Sequence, residues 1–302
     1  MPSFRAAPVR VRVPATSANL GPGFDSAGLA LALHDDVVVT VVDRGLSVDV
    51  AGEGADKVAR TERNLVVSSL RAAFDRLGGQ PRGLEVVCAN RIPHARGLGS
   101  SSAAIVAAVV AARALVLGGE ELLDDDGCLQ LANELEGHPD NVAACLRGGA
   151  TFAWEDDGRA GVVRHDVHPD LAPVAFVPST RSSTKKVRGL LPATVPYADA
   201  VLNASRAALL PHALTRDPSL LHVATEDRLH QGYRAPAMPR TAALVAQLRE
   251  QGVAAVVSGA GPTVLALTTR AGREALVDVP RRGWTVLPLD VEPAGASVVR
   301  LG

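Results

Sequence analysis

Apolar positions along this chain recur with two periods, and glycine- and proline-rich breaks mark most of the changes between them. Residues 9–13 (VRVRV) alternate strictly and predict a strand. Residues 14–25 (PATSANLGPGFD) carry two prolines and two glycines, so they predict an irregular loop ahead of the apolar stretch 26–33. Residues 37–42 predict a further strand, and the alternating 46–50 (LSVDV) a partner paired to it. Residues 64–77 space their apolar side chains as a helix does. Asn64 is the expected N-cap, and Gly78 and Gly79 the stop. Residues 84–88 (LEVVC) read as a strand and 103–117, almost wholly Ala, Val, Leu and Ile, as a buried helix.

Residues 120–126 are an acidic, solvated turn, and the helix predicted over 129–136 stops at Gly137. A strand is expected at 151–154, then a hairpin tip or linker at 156–161. The domain seam is placed near 155–165, giving domains 1–160 and 161–302. Beyond it the pattern predicts a strand at 172–177, helices at 198–213 and 218–228, and an amphipathic helix at 241–251. Two strands around a tight glycine turn follow at 254–267, with late strands at 284–289 and 296–300. Both periods occur throughout, so the chain mixes strands and helices.

Candidate chemistry concentrates between the strand 84–88 and the helix 103–117, in RIPHARGLGSSS, residues 91–102. Gly97 and Gly99 let several N–H groups point into one concavity, and the helix adds its positive end. The serines add hydroxyls, and such an assembly attracts phosphate. It is not a Walker loop, because no lysine is near, and Ser102 stands where the dinucleotide pattern needs glycine. A tight turn with serine caps is the competing reading. Residues 136–141 (EGHPDN) bring two carboxylates, an imidazole and an amide together, which alone reads as a helix stop and turn. Lysine occurs only at 57, 185 and 186, so the pair within 182–188 is notable, and 227–234 (DRLHQGYR) clusters donors.

Composition narrows the function classes. A chain of 302 residues, 47% of them hydrophobic, supports two domains with substantial cores. A net charge of −1 and 3% aromatics leave neither a field nor stacking platforms for nucleic acid. The cysteines, Cys88, Cys128 and Cys145, show no paired spacing and read as reduced core thiols, with zinc ligation the weaker alternative. The longest uninterrupted apolar run, 103–112, is too short to span a bilayer, and no apolar signal core opens the chain. The expectation is a soluble cytoplasmic protein with neither nucleic acid nor membrane as partner.

Three glycine-rich loops in this order, 14–25, 93–104 and 258–264, resemble those of the GHMP kinases. The finer pattern, including 136–141, 183–188 and 227–234, is similar to the homoserine kinases within that superfamily. The resemblance runs from about residue 9 to 267. It implies a two-lobed α+β protein, with an N-terminal lobe like ribosomal protein S5 domain 2 and a ferredoxin-like C-terminal lobe. It implies ATP as co-substrate, Mg²⁺, and L-homoserine as the small-molecule substrate, and it leaves oligomeric state open, a homodimer included.

By position, the resemblance gives ATP to Asn64, Pro93, His94, Ala95, Arg96, Gly97, Leu98, Gly99, Ser100, Ser101 and Ser102. It gives Mg²⁺ to Ser101 in preference to Ser100, with Glu136 as the carboxylate and Glu134 as the alternative. Asn19, Asp25, His138, Arg188 and Arg234 would surround the amino acid, Asp25 on its ammonium and the two arginines on its carboxylate. Asn141 and Asp140 are the catalytic candidates. Asn141 would lie near the transferring phosphate, and Asp140 is either a proton acceptor or structural. Two departures stand out: Gly232 replaces the family's usual proline, and His34 stands where tyrosine is common. A mevalonate-like or sugar-like acceptor is the competing substrate class, disfavoured by the amino-acid-shaped charge set.

Overall fold

The computed structural model describes residues 2–182, 187–278 and 282–301. Its first sheet is built around an antiparallel pair, β1 (Val9–Asn19) and β2 (Gly23–Val42). β1 alternates between buried and exposed only as far as Val13, then is buried at every position to Asn19. The irregular loop expected over 14–25 is therefore strand at all but three of its twelve positions. Pro14 pairs with His34 and Ala15 with Leu31, and this bulge accommodates a residue that cannot donate to a ladder. A second irregularity follows Ala18, where Asn19 and Leu20 turn to φ 72° and 47°, and only residues 20–22 remain as the turn.

β3 (Gly45–Gly52) does not pair with β2 as its pattern suggested. It runs parallel to β4 (Gly83–Asn90), which lies between them with Leu46 opposite Leu84. Helix α1 (Leu65–Arg76) connects the two strands, and a helical crossover returns the chain in the same direction. Asn64 caps α1 by accepting from the Val66 N–H. Helix α2 (Ser100–Leu115) is buried on nearly every side, its alanines allowing close approach to α1, β1 and the pair α3 (Asp125–Glu136) and α4 (Pro139–Arg147). Phe74, Leu70, Ile105 and Leu115 fill the space between sheet and helices. The hairpin β5 (Ala150–Asp156) and β6 (Arg159–His165) extends this sheet from β2.

β7 (Val174–Pro178) opens a second sheet. Helix α5 (Tyr197–Thr215) and helix α6 (Pro239–Glu250) precede the hairpin β8 (Ala254–Val257) and β9 (Val264–Leu267). Helix α7 (Arg270–Val277) leads to β10 (Trp284–Pro288). The order β10-β7-β9-β8, antiparallel throughout, is that of a ferredoxin-like sheet, with α6 and α7 packed on it. The chain then returns, and β11 (Ser297–Arg300) pairs with β1. Residues 161–165 and 297–300 thus belong to the first sheet.

The helix expected over 218–228 is broken into a 3-10 turn, Pro218–Leu220, and one helical turn, Leu221–Ala224. The Asp227 carboxylate captures the N–H groups of Leu229, His230 and Gln231, offering the backbone an alternative to a continued helix. Among the described residues no helix is long and apolar enough to cross a membrane. Cys88, Cys128 and Cys145 are free and buried.

Candidate active site

The first turn of α2 is where the three glycine-rich segments meet. Gly97 and Gly99 adopt φ 76° and 70°, and α2 begins at Ser100. Close approach demands glycine as much as the dihedrals do. A Cβ on Gly99 would lie 1.9 Å from Thr16 Oγ1, and one on Gly97 2.2 Å from the Ser258 carbonyl oxygen. Thr16 N–H donates to Leu98 O at 3.1 Å, and Gly259 N–H to Ala18 O at 3.1 Å. Ser258 Oγ donates to Gly97 O at 2.5 Å and lies 2.8 Å from Ser17 Oγ. The loop is held from both sides by main chain, and the start of α2 leaves its first N–H groups without intrahelical acceptors.

Ser101 and Ser102 both donate to Glu136 Oε1, at 2.7 and 2.8 Å. Glu136 is the last residue of α3, brought over the loop by the packing of α3 on α2. Glu134 points elsewhere and pairs with Arg76 at 2.7 Å. This oxygen-only donor set suits a hard divalent cation. Among the described residues no group of three or more His, Cys, Asp or Glu forms a cage, so such a cation would complete its shell with water and phosphate oxygens.

On one side of the loop lies a cavity of about 510 Å³ walled by Val13, Val37, Val50 and Val58, with Asn64, His94, Ala95, Ser100 and Ser101 at its rim. Burial lowers the His94 pKa below its ordinary value. The Asn64 side chain is spent on the Val66 N–H and on Ala59 O, so its amide serves the helix cap. Six of the residues assigned to ATP do not line this cavity: Gly97 and Gly99 face the other side of the loop, and Pro93, Arg96, Leu98 and Ser102 are engaged elsewhere. Leu98 is core, and Pro93 lines a separate groove against β7 and β10. Arg96 ties the loop to β7 by donating to Pro178 O at 2.9 Å and Ser179 O at 3.2 Å. Ser102 is fully buried on Glu136.

On the other side is a cavity of about 90 Å³ bounded by Asn19, Asp25, His138, Asp140, Asn141, Arg188 and Arg234. Asp25 and Arg188, expected on opposite charges of a ligand, are here bound to each other in a bidentate pair at 2.7 and 2.9 Å. A guanidinium and a carboxylate at this range satisfy one another. Arg234 is 2% exposed. Its Nε has no partner among the described residues, and its NH1 reaches Gly259 O at 3.4 Å. Burial, and then the charge of Arg188, lower its pKa. Both guanidinium groups lie over the Phe24 ring, at 5.1 and 5.4 Å.

Asn19 acts as a clamp, accepting from the Asp25 N–H at 3.0 Å and donating to Gly259 O at 2.9 Å. Asp140 Oδ1 gathers the His138 ring nitrogen at 2.7 Å, the Asn141 N–H at 2.7 Å and Asn141 Nδ2 at 3.2 Å. That hydrogen bond raises the His138 pKa above its ordinary value. Asn141 Oδ1 in turn accepts from Thr16 Oγ1 at 2.7 Å. Lys185 and Lys186 lie outside the described residues. Thr16, Ser17 and Ser258 went unassigned from the sequence, although all three sit inside the quoted loops; their role is to knit backbone, which no residue-type signal announces.

Family models agree with this architecture. The model described as GHMP kinases N terminal domain matches residues 64–149, and that described as GHMP kinases C terminal matches residues 207–284. A homoserine kinase from Streptomyces avermitilis is 60% identical over 300 residues, covering 99% of this chain and 98% of its own length. The crystal structure of a homoserine kinase from Cytophaga hutchinsonii superposes with a TM-score of 0.80 at 26% identity, over 99% of each chain. Mevalonate kinase from L. major superposes with a TM-score of 0.71 at 17% identity, over 97% of this chain and 99% of its own, a likeness of fold.

Proposed function

The chain belongs to the GHMP kinase family, and on that premise we propose that it transfers the terminal phosphoryl group of ATP to the side-chain hydroxyl of L-homoserine. The products are O-phospho-L-homoserine and ADP, the reaction belongs to threonine biosynthesis, and its place is the cytoplasm. One observation carries the reading. A large apolar cavity and a small charged one share Ala95, Ser100 and Ser101, at the head of a buried helix, the kind of terminus that offers N–H groups to phosphate.

In this reading the valine-walled cavity takes the nucleoside, and the amides of residues 97–102 take the phosphates. Ser101 and Glu136 fit Mg²⁺, which when bound neutralises charge on the phosphate oxygens. The acceptor lies in the charged cavity. Its carboxylate goes to Arg188 and Arg234, both of which line this cavity, and its ammonium goes to Asp25. A zwitterion replaces both partners of the Asp25–Arg188 pair, whereas an uncharged alcohol would leave that pair closed over the cavity.

Phosphoryl transfer passes through a loose transition state in which alignment and charge neutralisation dominate. Asp140 already receives three donors on one oxygen, so its work is to orient His138 and Asn141 toward the reacting oxygen. Asn141, fixed by Thr16, stands beside Gly99 and steadies the phosphoryl group in flight. ADP release measured with L-homoserine, mevalonate and galactose as sole acceptors tests the reading. Turnover is expected with homoserine, and turnover with only one of the other two would overturn it.

A further inference from the structure

Asp35 is a buried carboxylate on β2 that the reaction as described does not use. It is 5% exposed, pairs across the ladder with Val13, and lines the valine-walled cavity. Its Oδ1 accepts from the N–H groups of Arg91 and Ile92, at 2.5 and 2.9 Å. These are the two amides that follow β4 and open the phosphate-binding loop. Neighbouring Asp36 turns the other way, as alternate strand residues do, and pairs with Arg12 and Arg91. Asp35 Oδ2 has no hydrogen-bond donor among the described residues, and it is not an atom sealed from the cavity.

A carboxylate in such surroundings is costly unless donors reach it, and burial raises its pKa although the two amides partly offset this. Among the described residues His94 on the rim, the Cys88 and Cys145 thiols and, beyond them, the Arg91 guanidinium are the titratable groups that face it. Protein donors are supplied to one oxygen only. The cavity offers the second oxygen to whatever occupies it.

We propose that Asp35 determines nucleotide specificity, its Oδ2 accepting a hydrogen bond from a donor on the nucleoside while its Oδ1 fixes the start of the phosphate-binding loop. The inference rests on the reading of this cavity as the nucleoside site. The donor is either the amine of the base or a ribose hydroxyl, and both are N–H or O–H groups that a buried acceptor rewards. An analogue lacking the donor leaves the carboxylate desolvated and unpaired, and a carbonyl in its place would face it with a like partial charge.

The test is calorimetric titration of the whole protein with four nucleotides: ATP, inosine triphosphate, 2′-deoxy-ATP and 3′-deoxy-ATP. Inosine triphosphate replaces the base amine with a carbonyl, and the deoxy forms each remove one hydroxyl. The unsubstituted protein should bind at least one analogue about tenfold or more weakly than ATP, the worth of a hydrogen bond to a charged group. Asp35→Asn should then bring that ratio toward one. A residue that only held the loop would weaken all four alike, so a uniform loss in Asp35→Asn overturns the proposal. So does discrimination by the unsubstituted protein that persists in the variant. Should the variant fail to fold, binding of all four nucleotides to the unsubstituted protein within about twofold is sufficient to overturn it. Failure of ATP itself to bind would sink the reading of the cavity, a different result from equal binding of the four.

Discussion

The two cavities that meet at the head of α2 are made of different materials. The larger, about 510 Å³, is walled by valines and backbone, and its polar side chains are mostly committed to the protein itself, as Asn64 is to its helix cap. The smaller, about 90 Å³, gathers charged side chains against loop backbone, with Asp25, Arg188, Arg234 and His138 within one ring of residues. A site of the first kind recognises chiefly through shape and main-chain N–H groups, with the Asp35 carboxylate as its proposed side-chain acceptor, so it fails most when the backbone moves. A site of the second kind recognises through charge. Its losses should fall on one substrate and spare the other.

Arg234→Ala probes that division hardest. Removing a buried guanidinium from the acceptor cavity should raise the homoserine concentration for half-saturation by about a thousandfold, the scale of a broken buried ion pair. The requirement for ATP should hardly change; a parallel rise in both would erase the distinction between the cavities. Gly99→Ala attacks the other side. Its Cβ would collide with Thr16 Oγ1 at a φ of 70°, so the loop must shift. The expected result is a fall of about a hundredfold in kcat with little change in homoserine binding, since small misplacements are that costly to phosphoryl transfer.

Asp25→Ala is milder because its partner Arg188 is partly exposed and solvent screens the pair. Steady-state kinetics should show the homoserine KM raised about tenfold and the ATP KM unchanged; equal effects on both would refute its role on the ammonium. The smallest effect is on stability. The Asp140 hydrogen bond raises the His138 pKa, so it stabilises the fold fully below the unfolded histidine value of about 6.5 and loses that contribution as pH rises through the raised value. The gap in Tm between the unsubstituted protein and Asp140→Asn should therefore be widest below about pH 6.5 and narrow above it. A gap independent of pH would detach His138 from Asp140.

How much of this could be read beforehand follows the same division. Gly97 and Gly99 announced a tight strand-to-helix turn because glycine takes positive φ without strain and lets Thr16 and Ser258 approach, and α2 followed from an apolar run too long for a strand. Pro14 misled, since a bulge lets the strand continue past it, and nothing local encodes the partner residues that make the bulge. The pairing of residues 46–50 misled for a similar reason. Parallel pairing with β4 depends on the crossover through α1, which sequence neighbours do not reveal. Arg96 carries the charge expected of a phosphate ligand but is anchored to β7, a contact made only once the two sheets dock. Asp25 and Arg188 were both legible as charged residues; that they close on one another is a matter of geometry over 163 positions of chain.

A crystal of the protein with a non-hydrolysable ATP analogue and L-homoserine would test the central claim most directly. The distances to read are those from the backbone nitrogens of residues 97–102 to the phosphate oxygens. The expected structure has these amides donating to the β- and γ-phosphates, with the Asp25–Arg188 pair opened around the amino acid. A triphosphate lodged elsewhere, with the amides bonded within the protein and the ion pair intact, would contradict it.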